Sequence, residues 1–166
     1  MNDPLAGWTT LRNLLKRGGL MRIGLYSSKG RREWNGLREV VPPNLDKERV
    51  TNFIRERRSR VLMKSIKGID NVITNIADYY SLSGCRDLLF HENEIQFSLP
   101  QIAKIITDLN LRFLGFANLM ESTEKTFTNK FNSSTDYYDL EKWDIFEQEY
   151  PNTFISMYQF WCQAKD

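Results

Sequence analysis

A helix, a double-glycine turn and a short apolar strand, all within the first 26 residues, constrain the fold most. Asp3 can cap a helix with Pro4 in its first turn, and Leu5, Trp8, Leu11, Leu14 and Leu15 follow at helical spacing. Lys16 and Arg17 suit the negative end of that helix, and Gly18-Gly19 stops it. Leu20-Met21-Arg22-Ile23-Gly24-Leu25-Tyr26 then reads as a largely apolar strand of the kind buried on both faces of a parallel sheet. Helix, turn and buried strand make half of a parallel crossover unit. Such a unit needs a strand ahead of its helix, and only three residues stand there.

The remaining elements alternate in the same way. Pro42-Pro43 breaks the chain, and residues 46–67 predict a strongly basic helix with Val50, Phe53, Ile54, Val61 and Leu62 as its apolar contacts. A further helix or helix-loop is expected over 69–80. Ser98 and Pro100 start a helix whose apolar stripe is Ile102, Ile105, Ile106 and Leu109, ending near Asn110. Residues 111–116 predict a strand. Residues 120–151 read as acidic, aromatic and loop-rich, with a short helix over 139–150, and 153–163 predicts a last strand. These elements specify an α/β chain in which a returning strand closes one edge of a mixed sheet.

At 166 residues and 41% hydrophobic, the chain has the size of one domain with an ordinary core. Its formal charge of +2 hides an asymmetry: residues 1–67 hold 16 Lys/Arg against 6 Asp/Glu, and residues 68–166 hold 7 against 15. The basic run Arg55-Glu56-Arg57-Arg58-Ser59-Arg60 lacks the interleaved aromatics of a single-strand binder, which favours a solvated helix face over a nucleic-acid face. Two cysteines and one histidine are too few for a disulfide framework or a usual zinc site. No signal peptide and no apolar run long enough to span a bilayer is visible, so a cytoplasmic protein is expected. Nor is there a phosphate loop, a glycine-rich strand-to-helix loop or a nucleophile elbow.

The densest chemistry lies in Arg86-Asp87-Leu88-Leu89-Phe90-His91, which sets an arginine, an acid and a histidine on a few consecutive residues. His91 can act as a base near neutrality, and Arg86 can pair with an acidic group. Tyr26 and Ser27, at the carboxyl end of a sheet strand, stand where α/β proteins place site residues. Against this, Arg86 and Asp87 also suit a structural ion pair or cap. His91 suits a hydrogen-bonded structural role, and Tyr79, Tyr80, Tyr158 and Trp161 suit core or sheet-face packing.

Several blocks in one order carry a resemblance. They are Pro4-Leu5-Ala6-Gly7-Trp8, Gly18-Gly19-Leu20-Met21-Arg22-Ile23-Gly24-Leu25-Tyr26-Ser27, Tyr80-Ser81-Leu82-Ser83-Gly84-Cys85-Arg86-Asp87-Leu88-Leu89-Phe90-His91, Leu99-Pro100-Gln101-Ile102, Phe113-Leu114-Gly115-Phe116 and Met157-Tyr158-Gln159-Phe160-Trp161-Cys162-Gln163. Together they resemble the C-terminal half of a bacterial family of class I S-adenosylmethionine-dependent methyltransferases, often found with tetratricopeptide repeats. The sequence departs from that family after His91, where Glu92-Asn93-Glu94-Ile95-Gln96-Phe97 replaces a Val-Gln-Glu-His-Arg-Phe stretch.

The resemblance implies a Rossmann-like seven-stranded sheet with helices on both faces, of which this chain holds the last three strands. Residues 1–26 would be a helix and the fifth strand, 27–97 a helical insertion, and 98–166 the last helix and terminal strand pair. Its cofactor would be S-adenosylmethionine, whose glycine-rich loop lies upstream of the matching region, so the chain would be inactive alone. Met1-Asn2-Asp3-Pro4 resembles an internal stretch of the family, which predicts a fragment whose partner is the missing N-terminal half. Read from residue type and position, and not from the resemblance, the site would take His91 and Arg86 as catalytic residues and Tyr26, Ser27, Tyr80 and Asp87 as contacts to an unidentified methyl acceptor. Two other readings stand beside it: a non-catalytic interaction module that pairs through an exposed strand edge, and a basic nucleic-acid binder using residues 47–67.

Overall fold

The computed structural model describes residues 3–32, 44–62, 77–90, 94–154 and 157–165. The chain divides into two compact units, residues 1–31 with 95–166, and residues 32–94.

The first unit is built on a mixed four-stranded sheet in the order β2-β1-β4-β3, comprising β1 (Leu20–Ser27), β2 (Gln96–Phe97), β3 (Leu111–Phe116) and β4 (Met157–Ala164). β4 runs antiparallel to both of its neighbours, with Ile23 opposite Phe160 and Leu111 opposite Ala164. β1 and β3 therefore point the same way, and the expected terminal pair forms. β2 adds only two residues, parallel to the end of β1 at Tyr26 and Ser27. Among the described residues, Leu20–Leu25 has no strand on that edge.

Alternation fixes which side chains enter the core. Tyr158, Phe160, Cys162 and Ala164 of β4 are buried, as is Ile23 of β1. The other face carries Arg22, Gln159, Trp161 and Gln163, with Trp161 41% and Leu20 54% exposed. The expectation that β1 is buried on both faces is thus corrected. Its apolar run reflects one face packed on helices, while the second face is held by polar links such as Arg22 to Gln159 (2.6 Å).

Helices cover the buried face. In α1 (Pro4–Leu14), Asp3 Oδ1 accepts from Ala6 N at 3.0 Å, the cap that the sequence specifies. Only Trp8 of this helix is buried, its ring 6.0 Å from Phe160. The Arg12 guanidinium ties the helix down by donating to Leu109 O at 3.0 Å.

The helix over Leu99–Asp108 begins as expected. The side-chain oxygen of Gln101 accepts from Ser98 N at 2.8 Å, and Ile102 and Ile106 are buried. It ends with Asn110 in the left-handed region at φ 50°. A helix over Glu121–Phe131, which the sequence reading leaves in a loop, also forms. Its hydroxyls fold back onto the helix, Thr126 and Thr128 donating to the carbonyls of Ser122 and Glu124. The helix over Leu140–Glu149 follows its N-cap Asp139, whose Oδ1 accepts from Glu141 N at 2.8 Å. Its Trp143 stacks on Phe127 at 3.7 Å between ring centroids.

These helices, with those of the second unit, are numbered in chain order: α2 (Lys47–Leu62), α3 (Leu82–Phe90), α4 (Leu99–Asp108), α5 (Glu121–Phe131) and α6 (Leu140–Glu149). The last strand starts at Met157 and not at Thr153, because residues 151–154 form turns that bring Phe154 against Phe116.

In the second unit, α2 matches the basic helix expected over 46–67 as far as Leu62, residues 63–67 lying outside the described residues, and a 3-10 turn (Ala77–Tyr80) leads into α3. Ile54, Tyr79 and Cys85 form its buried contacts, and Tyr79 OH donates to Arg58 O at 3.0 Å. Burial pushes the Tyr79 phenol up to about 12. The helical segment expected over 69–76 lies outside the described residues.

Candidate functional site

The carboxyl end of β1 carries a buried polar cluster. Ser27 and Glu147 are both 0% exposed, and the Ser27 hydroxyl donates to Glu147 Oε1 at 3.1 Å. Tyr158 OH lies 2.9 Å from each Glu147 oxygen. Lys29 Nζ stands 3.4 Å from Glu147 Oε2 and 3.0 Å from Asp144 Oδ1. Gly30 N in turn donates to Ser27 Oγ at 3.0 Å. One carboxylate thereby ties the end of β1, the following turn, α6 and the start of β4 together.

Each member is placed by its element. Leu140, Trp143 and Glu147 share the inward side of α6, because residues three, four and seven apart recur on one helix face. Tyr158 points inward because it is in phase with Phe160 on β4. Burial pushes the Glu147 carboxyl above its usual value, opposed by the Tyr158 hydrogen bond and the Lys29 cation. The same burial raises the Tyr158 phenol.

The six candidate residues from the sequence do not gather into one described site. Ser27 enters the cluster. Tyr26, its neighbour, projects to the opposite face of the strand, where Arg31 lies 4.2 Å from the ring centroid. Tyr80, Arg86 and Asp87 belong to the second unit, and all three are exposed. Tyr80 stands edge-on to Tyr79, and Arg86 borders a cavity of about 430 Å³ with Lys47, Ile54 and Ser83. His91 lies outside the described residues.

Lys29, Asp144, Glu147 and Tyr158 are the members that the sequence reading misses or assigns to packing. A signal for Glu147 was present. An acid four residues after Trp143, on the apolar stripe of a helix, must be buried and therefore paired.

The arrangement suits positioning more than direct chemistry. Ser27 and Glu147 are sealed and mutually bonded, so neither presents a polar atom to a ligand. No glycine-rich backbone cradle stands at the carboxyl end of β1 among the described residues, and the groups present there do not by themselves fit S-adenosylmethionine. Among the described residues, no group of three His, Cys, Asp or Glu could hold a metal ion, and no helix is long and apolar enough to cross a membrane.

No family model matches the chain, and comparison with curated proteins likewise found no match.

Proposed function

We propose that the chain forms the C-terminal part of an S-adenosylmethionine-dependent methyltransferase domain. It supplies the closing edge of the sheet and part of the acceptor side of the site. The cofactor loop comes from a second segment with which this one pairs.

One observation carries the reading: among the described residues, β1 is paired along its length on one side and at its end alone on the other. β4 pairs with it along Leu20–Tyr26, whereas the opposite edge meets, among the described residues, the two residues of β2. A strand with unpaired backbone groups and partly uncovered apolar neighbours is a template for another strand. Around it Leu5, Leu11 and Leu14 of α1 are 47%, 55% and 76% exposed. The resemblance implies that a fourth strand lies there. The buried cluster supports the reading in a second way, since it rigidly holds the strand end at which open α/β sheets bind ligands.

In this account Glu147 is a positioning residue. It fixes Ser27 and Lys29, and so sets the course of residues 28–31 beside the site. The open edge equally suits the reading of a non-catalytic interaction module, and catalysis by the assembled domain separates the two.

Reconstitution tests the proposal. The chain is mixed with the polypeptide encoded immediately upstream of it, and amide hydrogen exchange is followed. The expected result is a complex in which the amides of Leu20–Leu25 become protected and labelled methyl groups are transferred from S-adenosylmethionine. Failure to form a complex, or a complex that leaves those amides unprotected, contradicts it.

A further inference from the structure

The exposed face of the sheet sets an aromatic ring between two cations. Trp161, on β4 and 41% exposed, stands directly opposite Arg22 of β1. On its other side Arg112 of β3 pairs with Gln163, two residues on from Trp161 and on the same face. Both arginines are exposed, and each lies on a strand next to that of the indole, about 5 Å across the sheet. Arg22 donates to Gln159 Oε1 at 2.6 Å and Arg112 to Gln163 Oε1, which holds each guanidinium along the sheet and leaves it N–H groups to donate. Directly across from Trp161 on β3 is Gly115, which sets no side chain beside the ring.

We infer that this face binds single-stranded nucleic acid, with a base stacked on Trp161 and phosphates on Arg22 and Arg112. Composition selects that occupant. β1, β2, β3 and β4 contain no acidic residue, so no carboxylate of the sheet repels a phosphate. Further cations stand where β1 begins and β4 ends: Lys16 and Arg17 precede Gly18, whose N–H donates to Ala164 O at 3.2 Å, and Lys165 follows Ala164. Of the acids near that end in the chain, Asp108 is paired with Lys104, and Asp166 lies outside the described residues. A sheet face that a helix covers is rich in Val, Ile and Leu, whereas the middle of this one reads Arg22, Gly24, Gln159, Trp161 and Gln163. It therefore suits a polar ligand with a flat ring better than the apolar side of a helix. The run Arg55-Glu56-Arg57-Arg58-Ser59-Arg60 lacks interleaved aromatics, but here arginine and tryptophan alternate across three strands, the pattern that single-strand binders use. A duplex keeps its bases stacked inside and offers the indole none. The inference concerns the face and not the edge of β1, so it stands independently of the reading above.

The test follows the fluorescence anisotropy of a labelled oligothymidylate of about eight nucleotides as the full chain is added at low salt. Binding is expected, and it should weaken as salt is raised. Trp161→Ala is expected to weaken it at least about tenfold, Trp161→Phe to retain most of it, and Arg112→Gln to weaken it and reduce the salt slope by about one. Trp161 is partly exposed, so circular dichroism should show the variants folded. The same oligonucleotide annealed to its complement is expected to bind at least about tenfold more weakly. No binding by the natural chain, equal binding of the duplex, or binding unchanged by Trp161→Ala, as the basic helix α2 alone would give, overturns the inference. So does a Trp161→Ala variant that keeps the oligonucleotide but no longer forms a complex with the upstream segment, which would assign the face to a protein.

Discussion

Ser27 and Glu147, 120 residues apart in the chain, meet at 3.1 Å with neither side chain exposed. This contact joins the carboxyl end of β1 to α6 and makes Glu147 the acceptor on which Ser27, Lys29 and Tyr158 converge. Removing it by Glu147→Ala leaves two buried hydroxyls without their acceptor and takes from Lys29 one of its two carboxylate partners, Asp144 remaining. The expected loss of stability is about 3 kcal/mol, measured by urea denaturation. Glu147→Gln retains an acceptor for Tyr158 and is expected to lose less than the alanine variant.

The same carboxyl gives the stability a pH dependence of known sign. Burial raises its folded pKa above the ordinary value of 4.5, so the folded state holds the proton more tightly than the unfolded state. The stabilisation from this group is present below 4.5 and is lost as pH climbs through the raised value. The stability of the natural chain minus that of Glu147→Gln is therefore expected to fall with rising pH and then level off. A difference that grows with pH over the same range contradicts the burial of this acid.

Gly115 has φ 114°, and a Cβ there would stand 3.1 Å from the Tyr137 ring. Gly115→Ala thus meets both an unfavourable backbone region and a close aromatic neighbour. The expected cost is about 2 kcal/mol in urea denaturation. A smaller change at Tyr137, such as Tyr137→Leu, should relieve the steric part and leave the backbone part.

Cys85 and Cys162 are 1% and 0% exposed. Burial pushes the Cys162 thiol up to about 12 and also raises that of Cys85. Because the thiolate is the reactive form, neither should react with a disulfide-exchange reagent near pH 8 until the chain unfolds. Rapid labelling of two thiols in the native chain contradicts this packing.

Much of the architecture was legible because its signals were local. Asp3-Pro4, Ser98-Pro100 and Asp139 each start a helix through a cap written in two or three residues, and Leu111–Phe116 reads directly as a strand. The helix over Glu121–Phe131 was not legible. Its serine, threonines and asparagine favour loops by propensity, and the helix is held by Phe127 packing against Trp143, a contact that forms only in the folded chain.

The site divides in the same way. The rule for strand ends located Ser27, but not its partners, since Glu147 and Tyr158 reach it from α6 and β4. The apolar character of Leu20–Tyr26 suggested burial on both faces, yet a run of apolar residues does not say which elements are present to cover it. The first helix is the same case: five apolar positions at helical spacing, of which Leu5, Leu11 and Leu14 stay exposed.

The central claim is that this chain holds an acceptor-side half-sheet and needs a second segment for its cofactor. Isothermal titration of S-adenosylmethionine into the folded chain alone, with folding checked by circular dichroism, tests it most directly. The account predicts no detectable binding by the chain and binding once the upstream segment is added. Micromolar binding by the chain alone would contradict it.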